Sequence, residues 1–165
     1  MRSPEPAVRA VRTPPDPRTA RRLLALLPDW FGLDDANAHY VEAAGRMATY
    51  VVADADGEAV GITLVERHFP AAAEVFLMAV HPQWHRRGVG RAMLATAEAD
   101  LVAGGVRFLQ VKTLGESRPD TNCEGIRKFY VASGFTPLEE LTDLWPGNPC
   151  LLLVKSLPAE SSGRT

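Results

Sequence analysis

The chain has 165 residues, of which 46% are hydrophobic and 23% charged, with a formal net charge of −2. That length suits one globular domain, and the apolar share is too high for a disordered chain. The near-neutral balance gives no basic footprint for nucleic acid. Cys123 and Cys150 make neither a disulfide framework nor a zinc cluster, and no apolar run reaches the roughly 18 residues of a membrane span.

The opening residues Met1-Arg2-Ser3-Pro4 lack the apolar stretch of a signal peptide, so the expectation is a soluble cytoplasmic protein. One domain is expected over 7–157, between flexible ends at 1–6 and 158–165. A short strand is predicted from Ala7 to Arg12. Asp16-Pro17 then reads as an N-cap with proline at the first helical position. The helix they open runs through Arg18 to Leu27, with Leu23, Leu24, Leu26 and Leu27 near one face, and Pro28 ends it. A second helix is predicted from Asp34 or Asp35 to about Ala44, stopped by Gly45. Thr49–Asp54 and Val60–Val65 flank an Asp54-Ala55-Asp56-Gly57 turn, a hairpin signal. Glu74–Val80 is a further strand, Gly90–Val102 an amphipathic helix (Met93, Leu94, Ala97, Leu101), and Val106–Lys112 a buried strand. A last helix from about Thr121 to Ser133 closes on Gly134, and Cys150–Val154 ends the pattern as an apolar strand. The order predicts a mixed α/β domain around one sheet.

The most informative stretch is Val80-His-Pro-Gln-Trp-His-Arg-Arg-Gly-Val-Gly-Arg-Ala-Met-Leu94. A strand ends, two glycines follow a basic run, and a helix begins. The first N–H groups of a helix and the positive end of its dipole form an anion site. Gly88 and Gly90 let the backbone approach a phosphate, and Arg86, Arg87 and Arg91 add charge beside it. The Walker pattern and the third glycine of the dinucleotide fingerprint are both missing. On the glycines alone, a plain strand-to-helix turn stands level with a phosphate loop.

Strand, His-Pro, the Arg-Arg-Gly-Val-Gly-Arg turn and the helix after it resemble motif A of the GCN5-related N-acetyltransferases (GNAT). About forty residues downstream, Arg127-Lys-Phe-Tyr-Val-Ala-Ser-Gly-Phe135 resembles motif B of that family. The resemblance implies a GNAT fold: a mixed, mostly antiparallel sheet of six or seven strands flanked by about four helices. It implies acetyl-coenzyme A as cosubstrate. The turn His85, Arg86, Arg87, Gly88, Val89, Gly90 and Arg91 would hold its pyrophosphate, and Met78, Ala79 and Val80 would lie along its pantetheine arm. His85 stands where the family usually has Gln or Arg, and Cys123 where many members have Asn.

Acetyl transfer needs a neutral amine, donors for the oxyanion, and a proton for the departing thiolate. Alkyl amines titrate near about 10.4, so a base or water chain must act. The resemblance places Tyr130 as the general acid, and Glu74, fourteen residues before Gly88, at the position of a glutamate base. Glu74 alternates with apolar neighbours, which suits a carboxylate that takes a proton. A solvated residue at a strand's start is the competing reading, and His68 and His81 are rival bases. Trp30 and Phe31 in the first interhelical loop, with Tyr40 beyond, are candidate acceptor contacts or a hydrophobic plug. The turn around Trp145 is a second candidate lip. Asp29, Asp34, Asp35, Glu139, Glu140 and Asp143 would favour a cationic amine if they converge.

The reading is an N-acetyltransferase acting on a small-molecule primary amine by direct attack through a tetrahedral intermediate. It needs no metal, nucleic-acid or membrane partner, and pairing into a homodimer is an accompanying expectation. The alternatives are a non-catalytic acyl-coenzyme A sensor, a protein-lysine or N-terminal acetyltransferase, and a nucleotide binder on an open sheet.

Overall fold

The computed structural model describes residues 7–159, so the termini expected to be flexible, 1–6 and the end of the tail from 160, lie outside the described residues. The elements are β1 (Ala10–Thr13), α1 (Pro17–Ala25), α2 (Asp34–Ala43), β2 (Ala48–Ala53), β3 (Ala59–Phe69) and β4 (Ala72–Val80). A 3₁₀ turn (Pro82–Trp84), α3 (Val89–Ala103), β5 (Phe108–Leu114), α4 (Thr121–Ala132), β6 (Thr136–Trp145) and β7 (Asn148–Ser156) follow. The seven strands are ordered β1-β2-β3-β4-β5-β7-β6. Antiparallel ladders join β1 to β2, β5 to β7 and β7 to β6, while β4 and β5 pair in parallel, Ala72–Val75 against Phe108–Val111. This is the expected mixed sheet with its helices. The described residues divide into two compact units, one made of residues 7–64 and Leu77–Ala97, the other of Val65–Phe76 and residues 98–159.

In the first unit, Asp16 caps α1 as expected. It accepts the Thr19 N–H at 3.0 Å and the Thr19 hydroxyl at 2.6 Å, with Pro17 opening the helix. Leu23, Leu24 and Leu27 are buried, but Leu26 is 41% exposed. The helix stops at Ala25, earlier than predicted, and Leu26 becomes the C-cap with its side chain turned outward. The first strand is shifted, starting at Ala10 rather than Ala7. The predicted hairpin is present: Asp54 Oδ1 accepts the N–H groups of Asp56 and Glu58, both at 2.9 Å. A cluster of Ala10, Val52, Val60, Val89 and Met93, with Met78, Val80 and Trp84 against it, packs the start of α3 onto the strands. Burying side chains such as Val89 and Met93 contributes about 1.5–3 kcal/mol each. The Thr63 hydroxyl donates to the Leu77 carbonyl at 2.7 Å and so satisfies a buried polar group between β3 and β4.

In the second unit, β5 begins at Phe108 rather than at Val106. Val106 is buried but its N–H is spent on the Leu101 carbonyl, which ties off α3 before the strand can start. Strand β3 runs four residues beyond its predicted end at Val65, through Glu66-Arg67-His68-Phe69. Those residues lack the apolar pattern that marks a strand, because this stretch is largely exposed. Asp120 caps α4, accepting from Asn122 and Cys123, and Gly134 at φ +98° ends it as predicted.

Candidate functional site

The first unit carries the basic turn. Its helical ladder begins where the Ala92 N–H reaches the Gly88 carbonyl at 3.0 Å, leaving the N–H groups of Val89, Gly90 and Arg91 ahead of the ladder. Two residues before them are left-handed: Gly88 at φ +79° and, unusually for a side-chain-bearing residue, Arg86 at φ +60°. Such alternation turns successive amides toward one side, the geometry of an anion nest. A Cβ at Gly88 would meet no atom within 4 Å, so the space in front of that residue is open. Arg86 and Arg91 are exposed, while the Arg87 guanidinium lies 5.2 Å over the Trp84 ring, held by a cation–π contact.

His85 does something the sequence did not reveal. Its Nε2–H donates to the Val80 carbonyl at 2.8 Å, and the edge-on Trp30 ring packs on it with centroids 5.3 Å apart. The end of β4 and the loop after α1 are thereby fixed to the same imidazole. Phe31 stands edge-on to Tyr40 at 5.8 Å, both half-buried, so the aromatic loop is anchored at two points. His81 is committed locally: its Nδ1 accepts the Gln83 N–H at 3.1 Å, capping the 3₁₀ turn.

The second unit carries Glu74, which is 5% exposed and therefore no solvated strand end. Nor are its surroundings purely apolar. The carboxylate Oε2 lies 2.6 Å from His68 Nε2 and accepts from Gln110 Nε2 at 3.3 Å; Oε1 lies 3.3 Å from Lys112 Nζ. A buried carboxylate persists only with such partners. The parallel register sets Gln110 beside Glu74, and Lys112 follows two residues on along the same face of β5.

Tyr130 is buried on α4, edge-on to Phe129 and Phe135 at 5.1 and 5.3 Å. Burial pushes its hydroxyl well above the usual phenol range, so it keeps its proton at any working pH. Both thiols are pushed up as well: Cys150 by burial, against the opposing Lys112 charge and with a smaller push from Glu74, and Cys123 by burial and then by the charge of Asp120. Neither is an activated nucleophile.

The sequence profile of the acetyltransferase (GNAT) domain matches residues 46–137, more than half of the chain. The chain belongs to the GNAT family. No curated protein matches it in sequence. Among solved structures, a GNAT-family protein from Desulfovibrio desulfuricans superposes with a TM-score of 0.77 at 20% identity, covering 91% of this chain and 99% of that one. The ribosomal-protein-S18-alanine N-acetyltransferase from Escherichia coli gives 0.72 at 15% identity, covering 94% and 99%. An aminoglycoside 6′-N-acetyltransferase complexed with coenzyme A gives 0.69 at 15%, covering 92% and 98%. At these identities the likeness is one of fold.

Within this GNAT chain, His85 to Arg91 with Met78, Ala79 and Val80 gather in the first unit, as do Trp30, Phe31 and Tyr40. Glu74 and Tyr130 belong to the second. The acidic residues Asp29, Asp34, Asp35, Glu139, Glu140 and Asp143 are all exposed, and Glu140 is spent on the backbone and hydroxyl of Ser117. Trp145 pairs with Asn148 across a tight turn at Gly147. Sequence reasoning missed Gln110 and Lys112. The available signal was two polar residues alternating with Leu109, Val111 and Thr113 in an otherwise buried strand.

Proposed function

We infer that this GNAT protein is an N-acetyltransferase that moves an acetyl group from acetyl-coenzyme A to a primary amine of a small molecule. The observation that carries the reading is the turn: left-handed Arg86 and Gly88, open space before Gly88, and three α3 amides ahead of their ladder. These residues fit a pyrophosphate, because amides at a helix start and flanking guanidiniums are what a diphosphate demands. The backbone of Met78 to Val80 would guide the pantetheine arm and supply a donor to the oxyanion. Tyr130, protonated by its burial, would give the departing thiolate its proton. The base lies in the Glu74 cluster. Trp30, Phe31 and Tyr40 would form an aromatic wall for the acceptor, and the exposed acidic residues would favour a cation.

Direct attack is favoured over a covalent acyl-enzyme because burial disfavours the thiolate at both cysteines. The second reading, a domain that binds an acyl-coenzyme A without turning it over, rests on the same turn. Isothermal titration with coenzyme A, ATP and NAD tests the shared part: tight binding of coenzyme A alone is expected, and binding of ATP or NAD in its place would overturn it. Thiol release from acetyl-coenzyme A on adding spermidine, glucosamine, kanamycin or an alanine-led peptide then separates enzyme from binder. Release with the peptide alone would move the acceptor from small molecules to protein termini.

A further inference from the structure

Glu74 is a poor base as it stands, because both of its oxygens are occupied by donors: His68 and Gln110 on Oε2, Lys112 on Oε1. Donors on both oxygens mark Glu74 as the acceptor, so the hydrogen in the 2.6 Å contact sits on His68 Nε2. With Nε2 protonated, the neutral imidazole carries its lone pair on Nδ1, and Nδ1 has no partner among the described residues. The two groups also differ in access: the His68 side chain is 34% exposed and that of Glu74 7%. One is sealed and the other open.

The geometry points to His68 Nδ1 as the proton-accepting atom, with Glu74 as the positioning residue that fixes the tautomer and balances the imidazolium. The inference rests on the transferase reading above and says which atom performs its first step. The substrate ammonium loses a proton to Nδ1, directly or through one water; an N–H bond breaks and the Nδ1–H bond forms. The freed nitrogen pair attacks the acetyl carbon, and the carbon–sulfur bond breaks. The thiolate takes a proton through Tyr130, which regains one from the acylated nitrogen. The imidazolium finally releases its proton to water. The charged or titratable groups around the pair are Lys112 on β5, Cys150 on β7, whose thiol feels both Glu74 and Lys112, and Glu66, two residues back along β3. Gln110 holds the carboxylate without titrating.

Two measurements on the full chain test this. Imidazole nitrogen NMR on the free protein should find His68 protonated at Nε2 and bare at Nδ1 at neutral pH, with the preference weakened in E74Q. A ring bare at Nε2 overturns the proposal. In steady-state kinetics with acetyl-coenzyme A and the amine panel above, log kcat/KM of the wild type should fall toward acid as Nδ1 takes up a proton. H68Q should lose that fall together with about 100-fold or more in kcat/KM, with coenzyme A affinity and melting temperature kept. Free imidazole should restore part of the rate to H68A, which a merely structural role for the ring would not allow. If H68Q retains the wild-type rate and acid limb while the wild type releases thiol, the pair is wrong and the transferase reading stands. If the wild type releases no thiol with any amine, both fall.

Discussion

Gly61 places the basic turn under a direct physical test. It lies in β3 beneath the first turn of α3, where a Cβ would stand 2.5 Å from Val89 Cγ1 and 3.1 and 3.2 Å from Met93 Cε and Sδ. Ordinary carbon contacts are about 3.5–4.0 Å, so in Gly61→Ala the valine must retreat by about 1 Å. Met93 can bend its thioether, but Val89 is 1% exposed, and a β-branched side chain on a helix has one strongly preferred rotamer. The helix start has to move instead. Overpacking of this kind costs about 1–3 kcal/mol, and at about 2–4 °C per kcal/mol for a domain of this size the melting temperature should fall by about 2–12 °C. The amides of Val89, Gly90 and Arg91 move with the helix. Losing one charge-assisted bond, about 1.5–3 kcal/mol, should raise the coenzyme A dissociation constant about tenfold or more. Thermal unfolding without ligand and calorimetric titration well below the melting range measure the two effects. Gly57→Ala is the control: φ +83° makes it strained, yet a Cβ there meets nothing within 4 Å, so it should lose stability and keep its affinity. Unchanged melting and unchanged affinity in Gly61→Ala would refute the claim that this packing holds the anion site.

Tyr130→Phe should lower kcat by about 100-fold or more at saturating acetyl-coenzyme A while leaving coenzyme A affinity intact, since Phe fills the same apolar space; steady-state kinetics beside calorimetry decides this. Arg86→Gly and Arg86→Ala both remove the charge, but only glycine is at ease at φ +60°, so chemical denaturation should find the glycine variant more stable by about 1 kcal/mol. Asp120 is held below the ordinary carboxylate range chiefly by the Cys123 N–H, with the Asn122 N–H assisting. A lowered folded pKa stabilises above the unfolded value of about 3.9 and is lost as pH falls through the folded one. Melting curves should therefore show the wild type losing stability relative to Asp120→Asn in that acid window, and parallel curves would refute the cap's contribution.

Much of the fold was legible because its signals are local. The Asp16-Pro17 start of α1, the Asp-Gly hairpin and the Gly134 stop of α4 each depend on a few adjacent residues, and each stands as read. What was hidden depends on distant partners. The far end of β3 carries no alternation because it is exposed, and Leu26 lies outside the core because α1 ends two residues early. The basic turn could be read from its glycines and arginines, but the left-handed Arg86 could not, since arginine does not advertise a positive φ. Glu74 was visible as an acidic residue in an apolar strand. Its pairing with His68, Gln110 and Lys112 was not, because it follows from the order β3-β4-β5 and a parallel register. Similarly, His85 could be seen only as a departure at one motif position until its bond to the Val80 carbonyl gave it a task.

The central claim is that the acetyl group leaves coenzyme A for an amine on this protein. Purified protein, acetyl-coenzyme A and the amine panel, followed together by free-thiol titration and mass spectrometry, test it most directly. One equivalent of thiol is expected for each equivalent of N-acetylated amine, with no acetylated cysteine on the chain. Tight coenzyme A binding without thiol release from any amine would contradict it.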